Sequence, residues 1–203
     1  GYHFPNVVDV HESNNITDKD VEVLAKLLSL SSDEKEVLKE CVFRFKNAEY
    51  YGSLINNFEY SSDVYGALLN KISDKEGKID FGDLFETGVF QRFYGLVCIL
   101  VKQAMYMSNQ YDCVVTNPPY LNPGSCGDEM KSYAATFYPD SKTDMFAMFI
   151  ERGMEYVKKS GLQAMITMHS WMFLSSYEKL RKKLIARTGS PEYWAHVLWQ
   201  RHN

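Results

Sequence analysis

The first half of the chain carries apolar residues every three or four positions, a spacing that predicts amphipathic helices. Three of these helices follow a serine or threonine of the kind that caps a helix N-terminus. Thr17 is the predicted cap of the first, the second starts at Ser31 or Ser32, and the third begins near Ser62. Asp20, three residues after Thr17, completes the pattern of a capping box. The sequence therefore predicts a helical block that begins at residue 17.

Two further segments complete this half. Residues 84–107 are apolar enough for one long helix, but Gly88 and Gly95 lower the helix propensity, so a single or a broken helix is expected. PNVVDVHES, residues 5–13, alternates valine with polar residues and predicts a short strand before the helical block.

The pattern changes at residue 111. YDCVVT (111–116) has apolar or β-branched residues on both faces, which is typical of a buried strand in a parallel sheet. NPPYLNPG (117–124) ends this strand abruptly, because proline has no N–H group to donate to a neighbouring strand. A polar loop is expected to follow.

A helix capped by Ser141 or Thr143 is predicted next, with its end at the Lys-Lys-Ser-Gly sequence that closes on Gly161. LQAMITMH (162–169) then predicts a second strand, and residues 174–185 a final helix. This order is a βαβα unit, whose crossover should be right-handed. Ligands of such sheets bind beyond the carboxyl ends of the strands, which here are NPPY and HSW.

Composition is ordinary for a globular protein, with 45% hydrophobic and 24% charged residues in 203. No stretch has eighteen uninterrupted apolar residues and no signal peptide is visible at the N-terminus, so a cytoplasmic protein without a membrane span is expected. The four cysteines lack metal-ligand spacing, which predicts free thiols and no metal site.

Charge is unevenly distributed. The net charge of −4 disfavours a self-sufficient nucleic-acid binder, but residues 1–110 hold 11 Lys and Arg against 17 Asp and Glu, whereas residues 111–203 hold 11 against 9. A basic cluster lies late in the chain and could contact DNA phosphates or form a solvated helix face. It comprises Lys179, Arg181, Lys182, Lys183 and Arg187.

The NPPY corner suits methyl transfer to a planar amine. The lone pair of such an amine is delocalised into its ring, so the nitrogen is a poor nucleophile. The side-chain oxygen of Asn117 and the carbonyl of Pro118 could accept both N–H bonds and support the charge that develops, while Pro119 keeps the loop rigid. Tyr120 offers a flat face on which a base could stack. No general base is required, because the methylated amine can lose its proton afterwards.

NPPY after a strand resembles motif IV of the S-adenosylmethionine-dependent amino-methyltransferases. PNVVDVHESN, YDCVVTNPPYLN and YPDSKTDMFAMFIERGMEYVKKSGLQAMITMHSWMFLSSYEKLRKKL extend the resemblance, from about Pro5 to Leu184, to adenine-specific DNA methyltransferases of the restriction and BREX or phage-growth-limitation type. The resemblance implies an α/β fold, a partial Rossmann-like methyltransferase domain with a large helical insertion. Residues 1–16 would be a strand of its sheet, 17–110 the insertion, and 111–203 the catalytic-loop half.

The resemblance also implies site residues. It places Asn117, Pro118, Pro119 and Tyr120 in the catalytic loop, Glu12 and Ser13 near the adenine of S-adenosylmethionine, and Asp144 and Phe146 beside its methionine end. It places His169, Ser170 and Trp171 at the pocket for the target base. Such an enzyme also needs a surface that binds DNA, and the basic cluster supplies Lys179, Arg181, Lys182 and Lys183 as the candidates for contact with the DNA backbone. The resemblance implies double-stranded DNA as the partner, from which the target adenine would be flipped out, and other subunits of a defence system as possible partners.

The glycine-rich cofactor loop of such enzymes has no counterpart in the sequence. We therefore expect an internal fragment that binds S-adenosylmethionine weakly or not at all, is inactive in isolation, and pairs with a second copy through exposed sheet edges. Two alternatives stay open. The acceptor could be an amine of RNA or of a protein glutamine, or the chain could be a non-catalytic scaffold module of a phage-defence complex.

Overall fold

A computed structural model of the chain describes residues 6–188 and 198–199. The chain divides into two compact units, Gly1–Asn109 and Gln110–Asn203.

The first unit is helical. Its helices are α1 (Asp18–Leu27), α2 (Ser32–Arg44), α3 (Ala48–Tyr51), α4 (Ser62–Ser73) and α5 (Leu84–Met107). The predicted capping box of α1 is confirmed, with the side chain of Thr17 accepting from Asp20 N and the Asp20 carboxylate accepting from Thr17 N. Ser31 caps α2 in the same way, paired with Glu34. Local hydrogen bonds therefore determine where these helices begin.

Helix α5 is continuous, so the break considered at Gly88 or Gly95 does not occur. A glycine inside a helix costs about 1 kcal/mol, and burial of the apolar side of α5 against α1, α2 and α4 exceeds that cost. By length and composition α5 could also cross a membrane, although core helices of soluble proteins pass the same test.

The prediction of a strand before α1 is wrong for the described residues, because residues 6–16 form no strand. Their backbone is instead hydrogen-bonded to the helices. The amide of His11 donates to Gln103 Oε1 (2.7 Å), whose Nε2 donates to the His11 carbonyl (3.1 Å). The amide of Ser13 donates to the carbonyl of Phe45 (3.0 Å). Residues distant in the chain thus bind the backbone groups that a neighbouring strand was expected to bind. Pro5, where the predicted strand begins, lies outside the described residues.

The second unit is a small parallel sheet with helices. Its elements are β1 (Tyr111–Thr116), α6 (Asp128–Phe137), α7 (Met145–Tyr156), β2 (Val157–Thr167), α8 (Glu178–Thr188) and β3 (Leu198–Trp199). The strand order is β1-β2-β3, and both pairs are parallel. The predicted β-α-β connection of two parallel strands is confirmed, and the handedness of its crossover stays a prediction.

Several predicted boundaries in this unit are wrong. The expected polar loop contains α6, and α7 is capped by Asp144 rather than by Ser141 or Thr143. Two short 3₁₀ turns follow β2, so α8 begins at Glu178 and not at residue 174.

Gly161 lies inside β2 and does not end α7. A Cβ at this position would lie 2.8 Å from the carbonyl oxygen of Asp112 and 3.0 Å from that of Tyr111. The register of the two strands shifts at the same place. Gly161 is therefore required by the close approach of β1, a feature that a helix-end pattern does not reveal.

Strand β1 is not buried on both faces as predicted. Gly153 of α7 lies against Gln163 and Met165, which face one side of the sheet. On the other side Val115 is 74% exposed and Leu162 is 70% exposed. Within residues 6–188 and 198–199, β1 pairs with β2 alone; pairing of a second copy at such an edge stays a prediction.

Candidate active site

The NPPY loop is hydrogen-bonded to the carboxyl end of β2. The hydroxyl of Tyr120 donates to the carbonyl of Ile166 (2.9 Å) and lies 3.5 Å from Asn117 Oδ1. The shorter contact takes the hydroxyl proton, which leaves the amide oxygen of Asn117 available as an acceptor. The ends of two adjacent parallel strands thus meet at this loop, as the sequence predicted.

The ring of Tyr120 stands edge-on to that of Phe146, at 6.1 Å between centroids and 81° between planes. The ring of Phe146 in turn packs against that of Tyr177, with 6.1 Å between their centroids. Phe146 and Tyr177 are buried, whereas Tyr120 is half-buried. This perpendicular packing supports one edge of Tyr120 and fixes the tilt of its ring.

The segment after Tyr120 is hydrogen-bonded to residues at the start of α7. The amide of Met145 donates to the carbonyl of Leu121 (2.9 Å), and Asn122 Nδ2 donates to the carbonyl of Thr143 (3.1 Å). The Asp144 carboxylate accepts from Phe146 N (3.2 Å) and from the amide of Leu121. Burial raises the pKa of Asp144, and these amide donors oppose that shift.

Exposure differs along the motif. Asn117 and Pro119 are exposed and Pro118 is buried. A rigid loop with one face in the core and an amide side chain at the surface can present a fixed hydrogen-bond acceptor to a molecule arriving from solvent.

Glu12 and Ser13 belong to the helical unit. Ser13 is fully buried, and its hydroxyl donates to the carbonyl of Val42 (2.5 Å). Glu12 is half-buried. The polar atoms of Ser13 therefore hold the segment before α1 against α2.

The residues predicted to contact the cofactor belong to different units, Glu12 and Ser13 to the first and Asp144 and Phe146 to the second. The hydroxyl of Ser13 and the carboxylate of Asp144 are hydrogen-bonded to backbone groups, and the ring of Phe146 is 2% exposed. Glu12 and Asp144 each keep a partly accessible carboxylate. In each unit by itself, the predicted residues offer S-adenosylmethionine one partly accessible carboxylate, and their contact with the cofactor stays a prediction.

The residues of the HSW turn differ in their exposure to solvent. His169 is exposed, with its ring 6.1 Å from that of Phe173. Trp171 is 2% exposed, and its Nε1 donates to Thr167 Oγ1 (3.2 Å). Trp171 is therefore a core residue, and it does not offer its face to a ligand. The carbonyl of Ser170 accepts from the amides of Phe173 and Leu174.

The residues of the basic cluster differ in the partners that they bind. Nη1 of Arg181 donates to the carbonyls of Trp171 and Leu174, each at 2.7 Å. Nη2 of Arg187 donates to the carbonyl of Val157. These two guanidinium groups hold the backbone of their own unit, although each retains further donors.

The lysines of α8 differ in the same respect. Lys183 bridges Asp140 (2.6 Å) and Glu151 (2.5 Å), and its hydrogen bond lowers the pKa of Asp140. Lys179 lies 3.8 Å from Asp140, and Lys182 pairs with Glu178 of its own helix. The side chains of Lys179 and Lys182 are 81% and 73% exposed, so these two can reach a partner with little rearrangement.

Sequence reasoning missed two features. One is the ion-pair network of Asp140 and Glu151 with Lys183, which is distant from both acidic residues in the chain. The other is Phe173, which is 75% exposed beside a buried tryptophan. The pattern HSWMFL gives no signal for which aromatic is buried. Among the described residues no group of His, Cys, Asp and Glu could hold a metal.

Two parallel strands are joined through helices α6 and α7, and an Asn-Pro-Pro-Tyr loop lies at the carboxyl end of the first, which is the arrangement that the sequence predicts for the catalytic-loop half of a methyltransferase domain. The comparison with protein families agrees. Residues 14–192 match the Eco57I restriction-modification methylase model, and the chain belongs to this family. The family predicted from the sequence is confirmed.

Two curated relatives are similar over most of the chain. The adenine-specific methyltransferase BrxX of Escherichia coli O9:H4 (strain HS) is 32% identical over 160 residues, which cover 78% of this chain and 13% of the relative. The adenine-specific methyltransferase PglX of Lacticaseibacillus casei (strain Zhang) is 38% identical over 149 residues, which cover 72% and 12%. The chain thus spans about an eighth of the length of these relatives.

Proposed function

We propose that this chain supplies the amine-binding part of the active site of a DNA methyltransferase that acts on the N6 amine of adenine. The observation that carries the proposal is the NPPY loop, fixed to the end of β2 by the Tyr120–Ile166 hydrogen bond. Membership of a restriction-modification methylase family supports it. The adenine-specific activity named for both relatives supports the choice of acceptor.

The chemistry follows from two acceptors. Asn117 Oδ1 and the carbonyl of Pro118 accept the two N–H bonds of the amine, which draws the nitrogen out of conjugation and stabilises its developing positive charge. Methyltransferases of this type take the methyl group from S-adenosylmethionine. The nitrogen would form its new bond to the methyl carbon as the carbon–sulfur bond of the sulfonium donor breaks and leaves a neutral thioether. The nitrogen would then lose one proton to solvent, so no side chain needs to act as the base.

The flat face of Tyr120 supports the adenine ring. Stacking of this kind contributes about 1–3 kcal/mol per base. The target base must first leave the duplex, because its N6 amine is not accessible to the loop while stacked and paired. Lys179 and Lys182 are the better candidates for the DNA backbone, because their side chains are largely exposed, whereas Lys183 bridges two carboxylates and Arg181 binds two backbone carbonyls.

The roles that the resemblance gave to other residues remain proposals. Glu12 is the stronger cofactor candidate of its pair, whereas Ser13 acts by holding the backbone beside it. Asp144 and Phe146 shape the loop and the ring of Tyr120, and His169 borders the target base. A cytoplasmic bacterial enzyme that works with DNA and with other defence subunits fits the relatives.

The test compares the full-length protein with its Asn117→Ala variant, using a labelled methyl donor and DNA, RNA and protein acceptors. We expect N6-methyladenine in DNA, and a rate that falls about 100- to 1,000-fold in the variant. Methylation of RNA or protein instead would identify another planar amine as the acceptor. Methylation that survives Asn117→Ala would contradict a catalytic role of the loop and favour a scaffold.

A further inference from the structure

The turn that follows β2 carries two large apolar side chains at the surface. Phe173 is 75% exposed and Leu174 is 53% exposed, although Trp171 in the same turn is buried. A single exposed apolar residue is ordinary. An aromatic ring held outward beside the candidate active site calls for a functional explanation.

The backbone around Phe173 is held on both sides. One guanidinium nitrogen of Arg181 binds the carbonyls of Trp171 and Leu174, two and one residues away from Phe173. The amides of Phe173 and Leu174 both donate to the carbonyl of Ser170, at 3.2 and 3.0 Å. The ring is thus carried on a fixed turn and has two side-chain torsions left to order, so binding through it costs little conformational entropy.

The same turn leaves the strand end that holds the catalytic loop. The carbonyl of Ile166, which binds the Tyr120 hydroxyl, precedes Thr167, the last residue of β2. Trp171 anchors the turn to this residue through Thr167 Oγ1. Hydrogen bonds at two consecutive residues of one strand therefore position both Tyr120 and the turn that carries Phe173.

Exposed cationic side chains beside the turn can contact a polyanion, although Lys182 pairs with Glu178 and Lys179 lies 3.8 Å from Asp140. Helix α8 begins five residues after Phe173, and Lys179 and Lys182 are the lysines of this helix with largely exposed side chains. An exposed aromatic followed by cationic side chains is the combination with which proteins bind unpaired nucleic-acid strands, in which rings stack on bases and ammonium groups contact phosphates.

We propose that Phe173 contacts the target base, stacking its ring on an adenine that has left the duplex. This inference rests on the proposed function and adds to it a residue that the sequence motifs do not indicate. Within the turn, Phe173 takes the place that the sequence assigned to Trp171, since the buried indole of Trp171 has no free face.

The experiment measures binding of two single-stranded probes to the full-length protein by fluorescence anisotropy. One probe is an oligodeoxyadenylate, and the other is an abasic oligomer of equal length and charge. The variants are Phe173→Leu, which keeps apolar bulk without a ring, and Phe173→Trp, which keeps a ring. Phe43→Ala is the matched control, because Phe43 is an exposed phenylalanine (68%) on α2.

We expect Phe173→Leu to weaken binding of the oligodeoxyadenylate about 5- to 100-fold and to leave binding of the abasic oligomer unchanged. Phe173→Trp should bind both probes like the wild type, and so should Phe43→Ala. Equal losses on both probes, or wild-type affinity of Phe173→Leu for the oligodeoxyadenylate, would overturn the proposal. Thermal melting of each variant checks that the fold is retained.

Failure of this inference is distinguishable from failure of the proposed function. The binding assay needs no methyl transfer, whereas the Asn117→Ala experiment measures only methyl transfer. An active DNA methylase whose Phe173→Leu variant binds adenine normally would contradict the role of Phe173 alone. A protein that methylates no DNA would contradict the proposed function, whatever Phe173 binds.

Discussion

The hydroxyl of Tyr120 donates a 2.9 Å hydrogen bond to the carbonyl of Ile166, the penultimate residue of β2. This hydrogen bond joins the NPPY loop to the carboxyl end of that strand. The same ring stands perpendicular to Phe146. Tyr120 is thus held at two points, by the hydrogen bond of its hydroxyl and by the packing of its ring against Phe146.

Removing the hydroxyl of Tyr120 should separate the effect of its hydrogen bond from the effect of its ring. Tyr120→Phe keeps the ring but loses the hydrogen bond, so we expect a loss of about 0.5–1.5 kcal/mol in unfolding free energy. The same change should lower kcat of the full-length protein about 3- to 10-fold, because the loop is less well aligned. Urea denaturation and steady-state kinetics measure both. Tyr120→Ala should reduce kcat further; equal kcat values for the two variants would contradict a contribution from the ring.

Asp144 should act on stability as a helix cap. Asp144→Ala removes the acceptor for Phe146 N and for the amide of Leu121, and we expect a loss of about 0.5–2 kcal/mol. Asp144→Asn keeps an acceptor oxygen and should retain most of the stability. Chemical denaturation of both variants tests this, and equal losses would show that the charge, not the cap, is what matters.

The Lys183–Asp140 ion pair predicts a pH dependence. Lys183 holds the pKa of Asp140 below its ordinary value, 3.8, through a hydrogen bond. A lowered carboxyl pKa stabilises the fold at pH values above the unfolded-state pKa, and this contribution is lost as pH falls through the folded-state pKa. Lys183→Met should therefore destabilise the protein at pH 7 and have less effect near pH 3.

The matched control for that experiment is Lys182→Met. Lys182 pairs with Glu178 on the surface of the same helix, and both side chains are largely exposed. Surface pairs of this kind contribute about 0–1 kcal/mol, so urea denaturation should show a smaller change than for Lys183→Met. An effect of Lys183→Met that is independent of pH would contradict the role of Asp140.

Two glycines should respond to alanine in opposite directions. At Gly161 a Cβ would meet the backbone carbonyls of Asp112 and Tyr111, so Gly161→Ala should cost about 1–3 kcal/mol through strain between β1 and β2. At Gly88, within α5, no atom lies within 4 Å of the added Cβ, and Gly88→Ala should stabilise by about 0.5–1 kcal/mol. Thermal melts of the two variants provide the comparison, and melting temperatures that move in the same direction would contradict it.

The sequence by itself determined the features that rest on neighbouring residues. Thr17 with Asp20 sets the start of α1 through hydrogen bonds three residues apart, and the same holds for Ser31 and Glu34. The two prolines after Asn117 end β1 because they lack N–H donors. The family could also be recognised, since a long stretch around this motif matches it.

Tertiary structure decided whatever depends on partners distant in the chain. Gln103 and Phe45 take the backbone bonds of the segment before α1, and the carbonyls of β1 require a glycine at residue 161. Trp171 and Phe173 are both aromatic residues of one short turn, yet one is buried and the other faces solvent. Local pattern cannot separate them, because burial depends on the packing of α7, β2 and α8 around the turn and not on the residues next to it.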